Sequence, residues 1–265
     1  LTDRCNFRCF YCLPHGEPSW AYKEKLLTLE ELAFVCEVFV SLGITKIRLT
    51  GGEPLIRRDV DVLVEKLSRL KPDLADIALT TNGYDFVRQS EALWSAGLDR
   101  VTFSIDSLRP DRFARENDVS FRFIEFMPLD SGHEWNRDMV VAGREVHDAI
   151  NEVFPLQLKE ASRGSSTAWN YTFVDSAPGE IGIITPVTNQ FCGACSRIRL
   201  TADGQIRTCL FSAAEYDLRG VVRSGASREE IADFIRAAVM KKEPGHRIND
   251  PAFVQPERTM SFIGG

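Results

Sequence analysis

Three cysteines stand within eight residues near the start of the chain, Cys5-Asn6-Phe7-Arg8-Cys9-Phe10-Tyr11-Cys12, a C-x3-C-x2-C spacing. Thiolates are strong metal ligands, and three packed so closely can face one centre only from a loop. A cubane iron–sulfur cluster takes four ligands, so three thiolates leave one iron open to a small molecule. A structural zinc loop is the alternative, but such sites are closed and four-coordinate, and His15 is the sole nitrogen close by in sequence. The spacing favours an open cluster.

A second set comprises Cys192-Gly193-Ala194-Cys195 and Cys209. Taken alone, C-x2-C followed by a hairpin favours zinc, with His246 or a carboxylate as the fourth ligand. The seventh cysteine, Cys36, stands apart. With no secretory signal to indicate an oxidising compartment, three plus three suits metal ligation better than disulfide pairing. Gly51-Gly52-Glu53-Pro54 is a glycine turn that lets backbone approach a ligand, though the same turn serves as a tight connection. Arg197 and Arg199 alternate along a predicted strand, so their guanidiniums share a face and could grip an anion. Singly, each arginine reads as a solvated charge, Ser104 as a strand-end hydroxyl and Met127 as a core residue.

These residues need elements to hold them. Thr28 with Glu31 forms a capping box opening a helix whose Leu32, Val35, Phe39 and Leu42 share one face, with Gly43 ending it. A strand over Ile44–Leu49 leads into the glycine turn. A second helix carries Val60, Leu63, Val64, Leu67 and Leu70, and strand Ile77–Thr81 ends at Asn82-Gly83. A third helix runs through Leu93 and Trp94 to Gly97, before strand Val101–Ile105. This alternation predicts a parallel α/β sheet with its site at the strand ends. Only Asp106 to Ser120 separate that strand from the next apolar run, Phe121–Phe126, a tight crossover for a βαβ unit. Further on, the pattern predicts a helix over Val146–Phe154, a strand over Ile181–Ile184, a hairpin around Asp203-Gly204 and a helix capped by Ser227 and Glu230.

The 265 residues are 44% apolar and 26% charged, values of a globular protein with a full core. A net charge of −6 argues against non-specific nucleic-acid binding. No run approaches the ~18 apolar residues of a membrane span. The chain opens on Leu1 inside the cysteine motif, so no signal peptide is read and the start looks truncated.

The first motif, with an aromatic residue before its third cysteine, resembles the radical S-adenosylmethionine (SAM) superfamily. Leu1-Thr2-Asp3-Arg4-Cys5, Lys46 to Leu55, Thr80-Thr81-Asn82-Gly83, Arg122-Phe123-Ile124-Glu125, Cys195 to Gly204 and Ile263-Gly264-Gly265 together resemble the GTP 3′,8-cyclase family, which opens molybdenum-cofactor biosynthesis. The resemblance implies an incomplete (β/α)6 TIM-type barrel over 1–130 and a smaller C-terminal α+β domain over 131–265. It implies two [4Fe–4S] clusters, one on Cys5, Cys9 and Cys12 and one on Cys192, Cys195 and Cys209. It further implies SAM against Tyr11, Gly52, Ser104 and Met127, and GTP against Arg48, Thr80, Arg197, Ile198 and Arg199.

The implied reaction is reductive SAM cleavage to a 5′-deoxyadenosyl radical, hydrogen removal from the GTP ribose at C3′, and closure onto guanine C8. The product is (8S)-3′,8-cyclo-7,8-dihydroguanosine 5′-triphosphate. An external electron donor, a cytoplasmic setting and no nucleic-acid or membrane partner go with this; a homodimer is allowed. No general acid or base is assigned. The diglycine tail, Gly264-Gly265, is expected to reach the active-site region. Two departures stand out. The family carries a GTP-contacting arginine ahead of the residue matching Leu1. It also carries a helix, a strand, a helix and a GTP-contacting lysine where this chain has only Ser107 to Asp118, so a stretch near 115–119 is expected to be missing. The rivals are a radical SAM peptide modifier with an auxiliary cluster and a non-catalytic zinc-binding module.

Overall fold

The computed structural model of the chain describes residues 1–9, 11–13, 20–105, 115–130, 132–160 and 163–264. Phe10, His15, Ser107 and Gly265, all named above, lie outside the described residues.

The first half follows the alternation read from the sequence. Helix α1 (Leu29–Ser41) starts at the full capping box, with the Thr28 hydroxyl accepting from the Glu31 amide at 3.1 Å and the Glu31 carboxylate accepting from the Thr28 amide at 2.8 Å. Strands β1 (Lys46–Leu49), β2 (Asp76–Thr81) and β3 (Arg100–Phe103) form a parallel sheet in that order, with helices α2 (Val60–Ser68) and α3 (Phe86–Ser95) between them. Leu49, Leu63, Leu67, Ile77, Leu79 and Leu93 fill the core between sheet and helices. The sheet therefore delivers its carboxyl ends to one edge, where Thr50, Asn82 and Ser104 emerge.

β4 (Ser120–Ile124) does not join this sheet. It pairs in parallel with β7 (Glu180–Ile184), at the edge of a four-stranded sheet ordered β4-β7-β6-β5 with β6 (Trp169–Phe173) and β5 (Leu156–Leu158) antiparallel. The strands ending at Ser104 and near Met127 are thus not direct neighbours. Phe103, Ile105 and Ile124 are exposed at these strands. Helix α4 (Gly143–Val153) packs on this second sheet; Gly143 lies so close that a side chain there would meet Thr185 at 2.3 Å. Buried Glu125 ties the layers, its carboxylate accepting from the amides of Gly143, Val187 and Thr188 and from the Thr188 hydroxyl.

A small antiparallel sheet of β8 (Arg199–Leu200), β9 (Gln205–Arg207) and β10 (Tyr216–Asp217) follows, then α5 (Leu218–Arg223), α6 (Arg228–Val239) and a terminal turn of helix, α7 (Met260–Ile263). Ile231, Ala232 and Ile235 of α6 share one core with Val35, Val38 and Phe39 of α1, so the C-terminal helices rest on the N-terminal unit. Arg223 reinforces that seam by donating to the Glu31 carboxylate and to the carbonyls of Glu24 and Leu26. The hairpin is shorter than the alternation suggested: Arg197 precedes β8 rather than sharing it with Arg199. No helix among the described residues is long and apolar enough to cross a membrane.

Candidate functional site

The first cysteine set hangs from the carboxyl edge of the parallel sheet. The Gly52 amide donates to Thr2 O and the Glu53 amide to Arg4 O, both at 2.7 Å, so the segment leading into Cys5 is laid against the glycine turn. A Cβ on Gly51 would lie 2.4 Å from Thr2 O, and one on Gly52 would lie 2.2 Å from Arg4 O. The two glycines are required by the chain's own backbone here, not only by any ligand. Buried Glu53 then accepts from Leu55 N, Thr81 Oγ1 and Asn82 N at 2.9, 2.8 and 2.7 Å. Asn82 Nδ2 donates to Asn6 Oδ1 at 2.8 Å. A strand-end network thereby reaches into the cysteine loop itself.

The loop closes with Cys12 N and Leu13 N donating to Cys9 O, and Leu13 buried beneath it. All three thiols are unpaired and half-buried. Burial pushes the Cys12 thiol up to about 11, with the charges of Cys5 and Cys9 adding to the rise. Burial likewise raises Cys5, against the opposing Phe7 amide. The thiols therefore lie within one another's electrostatic reach. Among the described residues, no three His, Cys, Asp or Glu side chains converge on a single point as a mononuclear metal site requires.

The second set is built on a helical turn and a hairpin. Cys192–Ala194 forms one 3-10 turn, with Cys195 N donating to Cys192 O at 3.0 Å, and Cys209 follows β9. Arg197 Nη2 donates to Cys195 Sγ at 3.3 Å. Burial pushes the Cys195 thiol up, but Arg197, through its amide and guanidinium, and Lys242 outweigh it, so the net shift is downward. Burial raises Cys209. His246, the nitrogen a zinc site would use, is held down by burial against the opposing Pro186 carbonyl, and its ring stands 4.8 Å from Phe211.

The chain's C-terminal end lies between the first set and the arginine beyond Cys195. The Ser261 amide reaches Cys12. Arg199 Nη1 donates to Gly264 O, and a Cβ on Gly264 would sit 3.0 Å from Thr50 Cγ2. Gly264, at φ +83°, holds a left-handed conformation that other residues adopt only with strain. The first cysteine loop, the end of β1 and the arginine beyond Cys195 thus meet around the tail.

The remaining residues singled out from sequence divide between these places. Arg48 Nη1 donates to Thr80 Oγ1 at 3.0 Å and to Thr102 Oγ1 at 3.1 Å, joining all three parallel strands on one face. Burial, then the charges of Arg100 and Arg122, hold its guanidinium below the usual arginine range. Ser104 is exposed, its amide donating to Thr81 O at 2.8 Å. Tyr11 is half-buried in the loop. Met127 packs on Leu129, Val187 and Ile263 beneath the tail. Ile198 turns into the α1–α6 core, which leaves its backbone for any ligand. Arg197 stacks on Phe191 at 5.2 Å, with Arg163 at 4.8 Å from the same ring.

Sequence reasoning missed Thr102, although its place two residues before Ser104 on an alternating strand was a usable signal. It also missed Arg163, Phe191, Lys242 and Glu243, which only the tertiary fold brings to the second set.

Residues 1–124 match the Radical SAM superfamily and residues 119–248 match Molybdenum Cofactor Synthesis C. The whole chain aligns with GTP 3′,8-cyclase of Streptomyces coelicolor at 40% identity, covering 92% of that protein. It aligns with GTP 3′,8-cyclase 2 of Mycobacterium tuberculosis at 40% and with GTP 3′,8-cyclase of Mycolicibacterium smegmatis at 38%, covering 88% of each. The Streptomyces alignment runs over 315 positions against 265 residues here, so about fifty of its positions have no counterpart in this chain.

Proposed function

The chain belongs to the GTP 3′,8-cyclase family of radical SAM enzymes, and on that premise we propose that it carries out this cyclisation, the first step of molybdenum-cofactor synthesis, between two iron–sulfur sites. Cys5, Cys9 and Cys12 hold the first cluster, and Cys192, Cys195 and Cys209 the second. Half-buried thiols within one another's electrostatic reach fit the first cluster. Bound at the first set, a cluster with SAM supplies the one-electron chemistry that generates a radical for attack on GTP.

The protein's own residues bind and position. The glycine turn and Glu53 fix the segment before Cys5, while Asn82 steadies the loop through Asn6. Tyr11, Ser104 and Met127 line the SAM side, next to the sheet edge that Gly52 supports. GTP carries several negative charges on its triphosphate, which planar guanidiniums bind with directed hydrogen bonds. Arg48, with Thr80 and Thr102 orienting it, supplies one such group from the sheet, and Arg197 and Arg199 supply two from the second set. The tail stands between them: Gly264 occupies the seam of Thr50 and Arg199 in a conformation that favours glycine.

The parallel β1–β3 sheet is one part of an incomplete barrel over residues 1–130, and residues 131–265 form the C-terminal unit that closes it. An external electron donor and a cytoplasmic setting complete the proposal.

The observation that carries it is the tail's reach to both regions: the Ser261 amide lies on Cys12, and the Gly264 carbonyl accepts from Arg199, four residues beyond Cys195. Anaerobically reconstituted protein given SAM, a reductant and GTP should yield 5′-deoxyadenosine together with a cyclised nucleotide triphosphate. Deoxyadenosine without GTP consumption would refute the substrate assignment, and neither product would refute the reaction.

A further inference from the structure

A short segment after α6 touches all three arms of the second cysteine set. Lys242 Nζ donates to Arg197 O at 2.9 Å and also to Thr208 O. The first carbonyl lies two residues beyond Cys195 and the second immediately before Cys209. Glu243 accepts from Thr208 Oγ1 at 2.7 Å and from Ser212 Oγ at 2.5 Å, bracketing Cys209 from its other side. Gly245 completes the contact: a Cβ there would meet Cys192 Cβ at 3.2 Å and its Sγ at 3.6 Å. The segment is rooted in α6, whose Ile231, Ile235 and Ala238 are buried against α1. The β8–β9 pairing is only two residues long, Arg199 with Arg207 and Leu200 with Ile206, so it cannot by itself fix the separation of Cys195 and Cys209.

We propose that Lys242 and Glu243 are positioning residues for the second cysteine set, clamping Cys195 and Cys209 at cluster spacing and setting the potential of the group held there with opposite signs. The inference rests on the assignment of Cys192, Cys195 and Cys209 as cluster ligands. Reduction adds a negative charge to a cluster, and a half-buried charge nearby acts through a lower dielectric than water. The Lys242 ammonium therefore favours the reduced form and the Glu243 carboxylate opposes it.

The test uses the full chain with Cys9→Ala, which leaves the second set as the only complete one. After anaerobic reconstitution, iron and sulfide are counted and the midpoint potential is read by a redox titration followed by electron paramagnetic resonance. Iron and sulfide near zero in this parent would refute the ligand assignment itself. With the parent loaded, Lys242→Met should move the potential more negative, Lys242→Arg should return it towards the parent, and Glu243→Gln should move it more positive. If Lys242→Met instead loses its iron while Lys242→Arg retains it, at unchanged circular dichroism and melting temperature, the clamp is supported directly. Lys242→Met and Glu243→Gln shifting the potential in the same direction, or leaving both potential and iron at parent values, would overturn the proposal.

Discussion

Gly52 carries no positive φ, so alanine there would ordinarily be neutral or mildly stabilising through the unfolded chain. The structure predicts the reverse. A Cβ at this position would stand 2.2 Å from Arg4 O and 2.7 Å from Asp3 O, where real contacts essentially never fall below 3.0 Å. Relief requires the Thr2–Arg4 segment to retreat by about 0.8 Å, the shortfall at Arg4 O. The two 2.7 Å bonds that hold this segment, Gly52 N to Thr2 O and Glu53 N to Arg4 O, would then stretch to about 3.5 Å, the outer edge of a hydrogen bond. Losing two partly buried backbone bonds costs roughly 2–4 kcal/mol. For a protein of this size that lowers the melting temperature by roughly 6–12 °C, out of a total stability of about 5–15 kcal/mol. Because Cys5 follows Arg4 directly, the same retreat displaces a proposed cluster ligand. Gly52→Ala should therefore melt early by calorimetry and, after reconstitution in a Cys195→Ala background, bind less iron than the same background with Gly52. A variant that melts within about 2 °C of the parent and binds the parent's iron would refute the steric argument.

The two cysteine sets should separate in function. Cys9→Ala should abolish SAM cleavage, whereas Cys195→Ala should retain some deoxyadenosine formation and lose GTP cyclisation; equal loss of cleavage in both would sink that division. Ending the chain after Ile263 should leave iron content unchanged and stop cyclised product, since Arg199 loses the Gly264 carbonyl; wild-type turnover by the shortened chain would count against it. The Glu31 carboxyl is held below its ordinary value first by the Arg223 guanidinium, then by the Thr28 amide, against some burial. Its contribution is fully present above about pH 4.3, the free glutamate value, and is lost as pH falls through the lower folded value. Urea unfolding should show Glu31→Gln less stable by about 1 kcal/mol at neutral pH, with the gap closing in acid; a gap that is constant with pH would refute the linkage.

Much of this protein is written in its local sequence. The C-x3-C-x2-C loop, the Thr28–Glu31 cap and the β–α alternation through Phe103 depend on neighbours a few residues apart, so periodicity and spacing reveal them. Arg48 and Thr80 came into view only through the family resemblance; the structure sets them on one face of the parallel strands, joined by a hydrogen bond. Other features depend on distant segments and left no local trace. Strand β4 reads as the continuation of the first sheet, yet it pairs with β7, about sixty residues later, a partner that no local pattern announces. Arg197 and Arg199 look like one alternating pair, but the strand starts only at Arg199, which leaves one guanidinium on Cys195 and sends the other to the tail. Gly51 and Gly52 read as a ligand turn, while the fold also spends their missing side chains on the backbone of Thr2–Arg4. Lys242 and Glu243 form no motif with the cysteines they brace. Their contacts exist only because α6 docks on α1, a packing decided by apolar surfaces some two hundred residues apart.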